Sequence, residues 1–320
     1  MRAACAALCL TLAAPVAAGA LDLTRPIACD LGETCHIQQY VDADPGPGAQ
    51  DYRCGPLSYD GHKGTDFALP TLAAMEAGVP VLAAAPGVVT ALRDGMADRA
   101  FAEGDTASVE GRECGNGVVI DHGDGWETQY CHLRRGTVQV SNGDRVARGD
   151  PLGAVGMSGK AEFPHVHLSL RQNGTVIDPF APEAARCGQP PEADLWQDTP
   201  SYQPGGLIAA GFSPGMPSYD AIKSGEAATR EMDGSAPALV LYGYAFGGQK
   251  GDVIEIEIDG PGGRVIAHSV ELEKTQAQLF RAAGKRRPDG GWPKGQYDGM
   301  VRMLRDRQEI DRAQVTVMIR

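Results

Sequence analysis

For a chain of 320 residues, this sequence has few aromatic residues, few basic residues and, after position 20, no long apolar run. Aromatic residues make up only 6% of it, against 42 glycines and 22 prolines. This balance favours short strands joined by turns over long helices. Lysine and arginine number 29 against 41 acidic residues, which gives a net charge of −12. Because binding to nucleic acid or anionic lipid relies on basic patches, neither kind of partner is expected.

The first twenty residues have the three parts of a secretory signal peptide. Arg2 supplies the positive start, an apolar stretch follows, and Ala18, Gly19 and Ala20 form a small-residue cleavage site. The apolar stretch is too short to span a bilayer, and no stop-transfer pattern follows it. We therefore expect export to the periplasm or the extracellular space, with cleavage near Ala20 and no stable membrane anchor.

Cysteine pairs with CxxC spacing are absent, which argues against a cysteine-based zinc site. Removal of the signal peptide leaves six cysteines, and an even number in an exported protein predicts disulfide bonds. Cys114–Cys131 is the favoured pair, because a hairpin turning at HGDG would set Cys131 opposite a residue near position 116. Cys29–Cys35 across the turn DLGE, and Cys54–Cys187 by elimination, would complete the set; other pairings stay open.

The pattern of apolar runs divides the rest of the chain into four segments. Residues 21–60 are irregular and are interpreted as an N-terminal wrap held by disulfides. Residues 61–181 carry short apolar runs between Gly, Asp, Asn and Pro signals, which is typical of an all-β domain. Residues 182–204 resemble a linker, and residues 205–320 are predicted to form a small Ig-like β-sandwich.

Three local patterns add detail to this division. In VIEIEI (253–258), alternate isoleucines share one face, which predicts a half-buried strand. TQAQLFRAAGKRR (275–287) is expected to form a short helix or a loop. The polar, glycine-punctuated segment 94–114 is a candidate wall of a substrate groove.

Two short motifs carry side chains that could hold a metal. His62 precedes Asp66 by four positions around a glycine–threonine turn, and His165 and His167 would point to the same face of one strand. Zinc favours nitrogen and oxygen ligands in a tetrahedron, and catalytic sites leave one position for water. Alone, HxxxD is more simply read as solvated surface residues, and HxH as a strand histidine pair. Their combination in one β-rich region favours a metal site.

Other polar residues have simpler interpretations. His122 at the hairpin turn is expected to be structural, and His36 and His268 to be packing or surface residues. Asp178 is expected to cap a turn. Lys160 is a weaker candidate for lining a cleft.

Four segments, taken in order, resemble the lysostaphin/LytM-type zinc endopeptidases. The resemblance spans about residues 61–181 and implies that His62, Asp66 and His167 bind one zinc ion per chain. It also implies catalytic roles for His132 and His165. The segments are HKGTDFA, GNGVVIDHGDGWETQYCHL, NGDRVARGDPLGAVGMSG and PHVHLSLRQNGTVIDPF.

The chemistry expected of such a site is hydrolysis by a metal-activated water. His165 is the expected general base and His132 the expected hydrogen-bond donor to the oxyanion, although the reverse assignment stays open. Cys131 departs from the resemblance, since a small residue such as alanine is common at that position.

The sequence thus predicts an all-β protein, an antiparallel metallopeptidase domain followed by an Ig-like sandwich. Its expected function is zinc-dependent endopeptidase cleavage of peptidoglycan stems or cross-bridges, as a monomer. An alternative is a non-catalytic cell-wall regulator, such as an amidase activator, that uses the same groove; relatives of that kind usually lack zinc ligands, and none is missing here. A zinc peptidase acting on secreted proteins is a third interpretation.

Overall fold

The computed structural model describes residues 21–183, 187–188 and 193–320. The predicted signal peptide and its cleavage site lie outside the described residues. The regular structure of the described chain is almost entirely β, in mainly antiparallel sheets, which confirms the predicted all-β class. Within the described ranges, no helix combines the length and the apolar character needed to cross a membrane.

The first half of the described chain contains ten strands, two short α-helices and one 3-10 helix. The strands are β1 His36–Gln39, β2 Thr65–Ala68, β3 Pro80–Leu82, β4 Gly87–Arg93, β5 Asn116–Gly123, β6 Trp126–Leu133, β7 Arg145–Val146, β8 Pro151–Ala154, β9 His165–Gln172 and β10 Thr175–Ile177. The α-helices are α1 Leu72–Glu76 and α2 Thr106–Val109, and the 3-10 helix is Glu103–Asp105.

The main sheet has the strand order β1-β2-β9-β6-β5-β4-β7, with β10 paired to β9. One face of this sheet packs into a hydrophobic core, because alternate residues such as Val118, Ile120 and Leu168 point inward and are fully buried. The opposite face carries the polar candidate site residues, among them Asp66 and His167. Strands β5 and β6 form the predicted hairpin, and the register sets Cys131 beside Gly117.

The described residues form three disulfides, and they are the predicted ones. Cys114–Cys131 joins the segment just before β5 to β6, Cys29–Cys35 closes a short loop, and Cys54–Cys187 joins the loop between β1 and β2 to the segment after β10. The pairing left open by the sequence is therefore settled.

The N-terminal segment contributes to the main sheet instead of only wrapping it. Its strand β1 pairs with β2 at the edge of the sheet. Leu23 forms a β-bridge with Trp196, and both are buried in the first core. The described end of the 182–204 segment is therefore packed against the sheet, although composition suggested a linker.

The second half of the described chain contains eight strands and helix α3 Tyr219–Ser224. The strands are β11 Gly206–Ser213, β12 Glu231–Met232, β13 Ala238–Gly248, β14 Val253–Gly260, β15 Gly263–Glu271, β16 Gln276–Arg286, β17 Gly295–Arg305 and β18 Gln308–Ile319.

These strands form two sheets, β11-β13-β16 and β12-β18-β17-β14-β15, around a second hydrophobic core. Ile254, Ile256 and Ile258 of β14 are buried in that core while the glutamates between them are not, which confirms the half-buried strand. The two sheets fit the predicted sandwich.

The prediction of a helix or loop at 275–287 was wrong. This segment forms β16, which pairs with β13 along almost its whole length, and Leu279 is buried in the second core. Local composition suggested no strand, but pairing with a long, buried neighbouring strand overrides local preference.

Candidate metal centre

The register of two neighbouring strands brings the ligand candidates together. Asp66 on β2 lies directly opposite His167 on β9, and Asp66 Oδ1 is 2.7 Å from His167 Nδ1. His62, in the turn before β2, places its Nε2 atom 3.1 Å from His167 Nδ1 and 3.3 Å from Asp66 Oδ1. One potential metal-ligand atom from each of the three residues therefore lies within 4.8 Å of the other two, on the face of the sheet opposite the core.

The hydrogen-bond partner of His62 fixes its tautomer. Its Nδ1 atom lies 2.6 Å from the backbone carbonyl of Tyr40, which follows β1. A carbonyl oxygen can only accept, so Nδ1 carries the proton and, in the neutral ring, Nε2 presents a lone pair. The edge strand from the N-terminal segment thereby orients the first histidine.

A serine performs the same task for His167. Ser169 Oγ lies 2.8 Å from the carbonyl oxygen of Lys63, to which it donates, and 3.0 Å from His167 Nε2. Ser169 has one hydroxyl proton, and it is donated to the carbonyl of Lys63. Ser169 Oγ must therefore accept a hydrogen bond from His167, so Nε2 of His167 carries a proton. Its Nδ1 atom then presents a lone pair toward Asp66 and His62.

With His62 neutral, as metal binding requires, three electron-pair donors face one another: Nε2 of His62, Oδ1 of Asp66 and Nδ1 of His167. They are buried or nearly so, and mutual contact of such atoms without a positive charge between them is repulsive. Ligands about 2.0–2.1 Å from a tetrahedral ion lie roughly 3.3 Å apart. Two of the separations, 3.1 and 3.3 Å, are close to this value, and the third, 2.7 Å, is shorter. The donor set therefore fits a zinc-like cation, with protein ligands on three sides only.

His132 reaches the site through a distortion of β6. Its φ of 63° lies in the left-handed region, where the β5–β6 register shifts. This bulge re-aims its ring, whose Nδ1 donates to the carbonyl of Ser158 at 2.7 Å. The backbone N–H of His132 donates to the carbonyl of Cys114 at 2.8 Å. Both contacts hold the Nε2 edge of the ring toward the metal position.

His165 lies two residues before His167 on β9 and faces the same way. Its Nδ1 donates to the carbonyl of Phe163 at 2.8 Å, so that Nε2 presents a lone pair 3.7 Å from Asp66 Oδ1. The centroids of the His165 and His132 rings are 4.6 Å apart. The second pair of predicted residues therefore lies beside the ligand cluster.

Burial and charge set different protonation states within the site. Burial lowers the pKa of His132 well below its usual range, and the nearby imidazoles of His165 and His167 lower it further. Burial also lowers the pKa of His165, against the opposing effect of Asp66. Although burial alone would raise the pKa of Asp66, the surrounding imidazoles hold it well below its usual value. His132 and His165 are therefore neutral at pH 7, and the aspartate is ionised.

Residues 60–179 match the family model described as Peptidase family M23. This region belongs to peptidase family M23. The match confirms the resemblance drawn from the sequence, and it covers the residues that build the site. The M23 region thus includes strands β2 to β10 and both pairs of histidines.

Relatives of this M23 region include two enzymes named for peptidoglycan cleavage. Over 136 residues the chain is 30% identical to the peptidoglycan DD-endopeptidase ShyA of Vibrio cholerae serotype O1, covering 42% of this chain and 26% of that protein. Over 134 residues it is 33% identical to the DD-carboxypeptidase/endopeptidase Mpg of Neisseria meningitidis serogroup B, covering 41% and 25%. The chain thus spans about a quarter of the length of these curated relatives.

Among solved structures, the catalytic domain of the prophage-encoded M23 protein EnpA from Enterococcus faecalis aligns with a TM-score of 0.33. The two chains are 26% identical, and the alignment covers 49% of this chain and 98% of EnpA.

Sequence reasoning missed the groups that orient the five predicted residues. The carbonyls of Tyr40 and Ser158 carry no local signature, because those contacts depend on long-range pairing. Ser169 is only two residues from His167, but its role depends on its long-range bond to the carbonyl of Lys63. Gly64 was also missed: a Cβ there would lie 2.5 Å from His167 Nε2. The GxD spacing beside His62 was the one available signal.

Three other polar residues considered in the sequence, His122, His36 and Asp178, lie apart from the metal centre. His122 bonds the Pro86 carbonyl and the Thr128 hydroxyl, as expected of a structural residue. His36 is buried against Phe246, and Asp178 caps the turn at Phe180.

Proposed function

We propose that this chain is an exported, zinc-dependent endopeptidase that hydrolyses peptide bonds in peptidoglycan stems or cross-bridges. The observation that carries the proposal is the mutual approach of three potential ligand atoms, from His62, Asp66 and His167, at one point. The names of the relatives, DD-endopeptidase and DD-carboxypeptidase/endopeptidase, support peptidoglycan as the substrate class.

In this proposal His62, Asp66 and His167 hold one zinc ion per chain. Zinc at that position would supply a Lewis acid that polarises the scissile carbonyl and lowers the pKa of water. The carbonyl of Tyr40 and the hydroxyl of Ser169 keep the two imidazoles in the tautomers that such binding needs.

His165 and His132 are the proposed catalytic pair. Each is a neutral imidazole whose Nδ1–H group donates a hydrogen bond to a backbone carbonyl. The Nε2 atom of each ring is therefore free of a proton and can accept one within the site. His165 is the proposed base, since its Nε2 atom lies 3.7 Å from Asp66, whose charge favours the protonated ring. Once protonated, either ring can donate a hydrogen bond to a developing oxyanion.

The division of the chain follows the same proposal. Residues 61–181 form the catalytic domain, residues 205–320 a separate sandwich, and residues 1–20 the signal that directs export to the periplasm or beyond. Two separate hydrophobic cores and the three disulfides are consistent with this arrangement.

The test combines zinc content with cell-wall digestion. We expect one zinc per wild-type chain and release of peptide fragments from purified peptidoglycan, identified by mass spectrometry. His62→Ala should lose both, whereas His268→Ala, at an exposed position of β15, should lose neither. A wild-type protein that binds no zinc, or a His62→Ala variant that digests walls normally, would contradict the proposal and favour a binding-only regulator.

A further inference from the structure

The open face of the main sheet carries a row of residues leading away from the metal centre. Asp66 lies opposite His167, and His167 opposite Cys131. Gly117 packs against the bulge at Cys131 and lies opposite Arg93 on β4. Since neighbouring strands are about 4.8 Å apart, Arg93 lies three strands, or roughly 14 Å, from His167.

A cavity of about 330 Å³ lies at the far end of this row. Its floor is the sheet, at Val119 and Gln129, and its wall is the end of the 94–114 segment, predicted above as a groove wall. Cys114 lines this cavity, is joined by a disulfide to Cys131, and accepts a hydrogen bond from the backbone N–H of His132, so the cavity wall is connected directly to the reactive centre.

Two guanidinium groups line the cavity. Arg93 donates one bond to the carbonyl of Gly115 at 3.2 Å, and Arg112 donates one to the carbonyl of Ser108 at 2.8 Å. A guanidinium has five N–H groups, so each keeps donors for a ligand. Glu113 also lines the cavity, but its carboxylate accepts from the backbone N–H of Gly111. In a chain of net charge −12, the cavity still has more cationic than anionic side chains.

We propose that Arg93 and Arg112 bind a carboxylate of the peptide substrate, about four residues from the scissile bond. This rests on the proposed function. An extended peptide advances about 3.3–3.6 Å per residue, so four residues span the distance between the metal centre and Arg93. The planar guanidinium matches a carboxylate in a two-point contact, which an amide or a methyl group in the same place does not reproduce.

The experiment compares two substrates: a cross-linked muropeptide dimer with free carboxylates, and the same dimer with those carboxylates amidated. For the wild-type protein we expect a KM about fivefold lower for the free acid, with similar kcat, since a charge-assisted contact at a partly exposed site is modest. Added salt should reduce this preference.

The double variant Arg93→Gln/Arg112→Gln should raise KM for the free acid by about fivefold and leave KM for the amidated dimer unchanged. Arg286→Gln, at an exposed position of β16, is the matched control and should keep the wild-type preference. A double variant that still prefers the free acid to the wild-type extent would overturn the proposal.

Failure of the proposed function gives a different result. If the wild-type protein cleaves neither dimer, equilibrium binding of fluorescently labelled dimers to the same proteins replaces KM. Loss of the preference in the double variant then still supports the carboxylate site, and equal binding of both dimers by the wild-type protein refutes it.

Discussion

Ser169 accepts a hydrogen bond from His167 while it donates one to the carbonyl of Lys63, at 3.0 and 2.8 Å. This relay leaves His167 one tautomer, the one whose Nδ1 atom faces Asp66. The orientation of a ligand is thus set by a residue that does not itself touch the metal position.

Ser169→Ala should weaken zinc binding. Loss of the acceptor frees His167 to change tautomer or rotate, and removal of such a supporting contact typically costs 10–100-fold in metal affinity. Competition with a chromogenic chelator measures the change. Ser201→Ala, at an exposed position, is the control and should bind zinc as the wild type does. Wild-type affinity in Ser169→Ala would show that the relay is dispensable.

Gly64→Ala should displace His167. The added Cβ would lie 2.5 Å from His167 Nε2 and 2.6 Å from the Leu168 carbonyl, closer than real contacts allow, and the backbone carbonyl cannot move aside cheaply. We expect loss of most zinc and activity, with a melting temperature lowered by a few degrees. Gly215→Ala, whose Cβ would meet nothing within 4 Å, should keep both. Full zinc content in Gly64→Ala would contradict the steric argument.

Removal of the Cys114–Cys131 disulfide should affect catalysis more than metal binding. The carbonyl of Cys114 holds the backbone of His132, whose left-handed conformation is held by its surroundings. In Cys114→Ala/Cys131→Ala we expect about tenfold lower kcat with zinc retained, and a loss of up to about 3 kcal/mol in unfolding free energy. Cys29→Ala/Cys35→Ala, which removes a disulfide distant in the chain, should leave kcat unchanged.

Asp178 should make the protein less stable as pH rises. Burial raises the pKa of its carboxyl to about 7, so that the folded state keeps a proton that the unfolded state loses near pH 4. Stability due to this group is therefore full below about pH 4, falls between about pH 4 and 7, and by neutral pH is lower by up to about 4 kcal/mol.

Asp178→Asn should remove that slope and raise the melting temperature at pH 8, because the amide oxygen can still accept from Phe180. Thermal unfolding from pH 4.5 to 8 measures how the melting temperature depends on pH. Asp220→Asn, at an exposed position, is the control. An unchanged slope in Asp178→Asn would assign the pH dependence to other groups.

The sequence predicted best where its signals are local. The hairpin around Gly123 follows from turn residues between apolar runs, and the burial of Ile256 follows from strict alternation. The Cys114–Cys131 pairing followed from that hairpin. In each case, residues close in sequence determine the outcome.

Features that depend on distant pairing could not be predicted. The β16 strand has weak local strand character and exists because β13 pairs with it. The bulge that orients the His132 side chain requires a register shift between two strands. Amino-acid composition does not predict such a shift. The carbonyl of Tyr40 reaches His62 only because an N-terminal strand joins the edge of the sheet.

The Cys54–Cys187 bond closes a covalent ring that contains the whole M23 region, since its two cysteines are 133 positions apart and enclose residues 60–179. A closed ring of this size restricts the unfolded chain and favours folding by up to about 5 kcal/mol in the chain-entropy view. A single proteolytic nick in the exposed 94–114 segment would open the ring without releasing either piece, so His62 and His167 would stay tethered together. The ring thus suits the export proposed above, which would bring the chain into contact with other proteases.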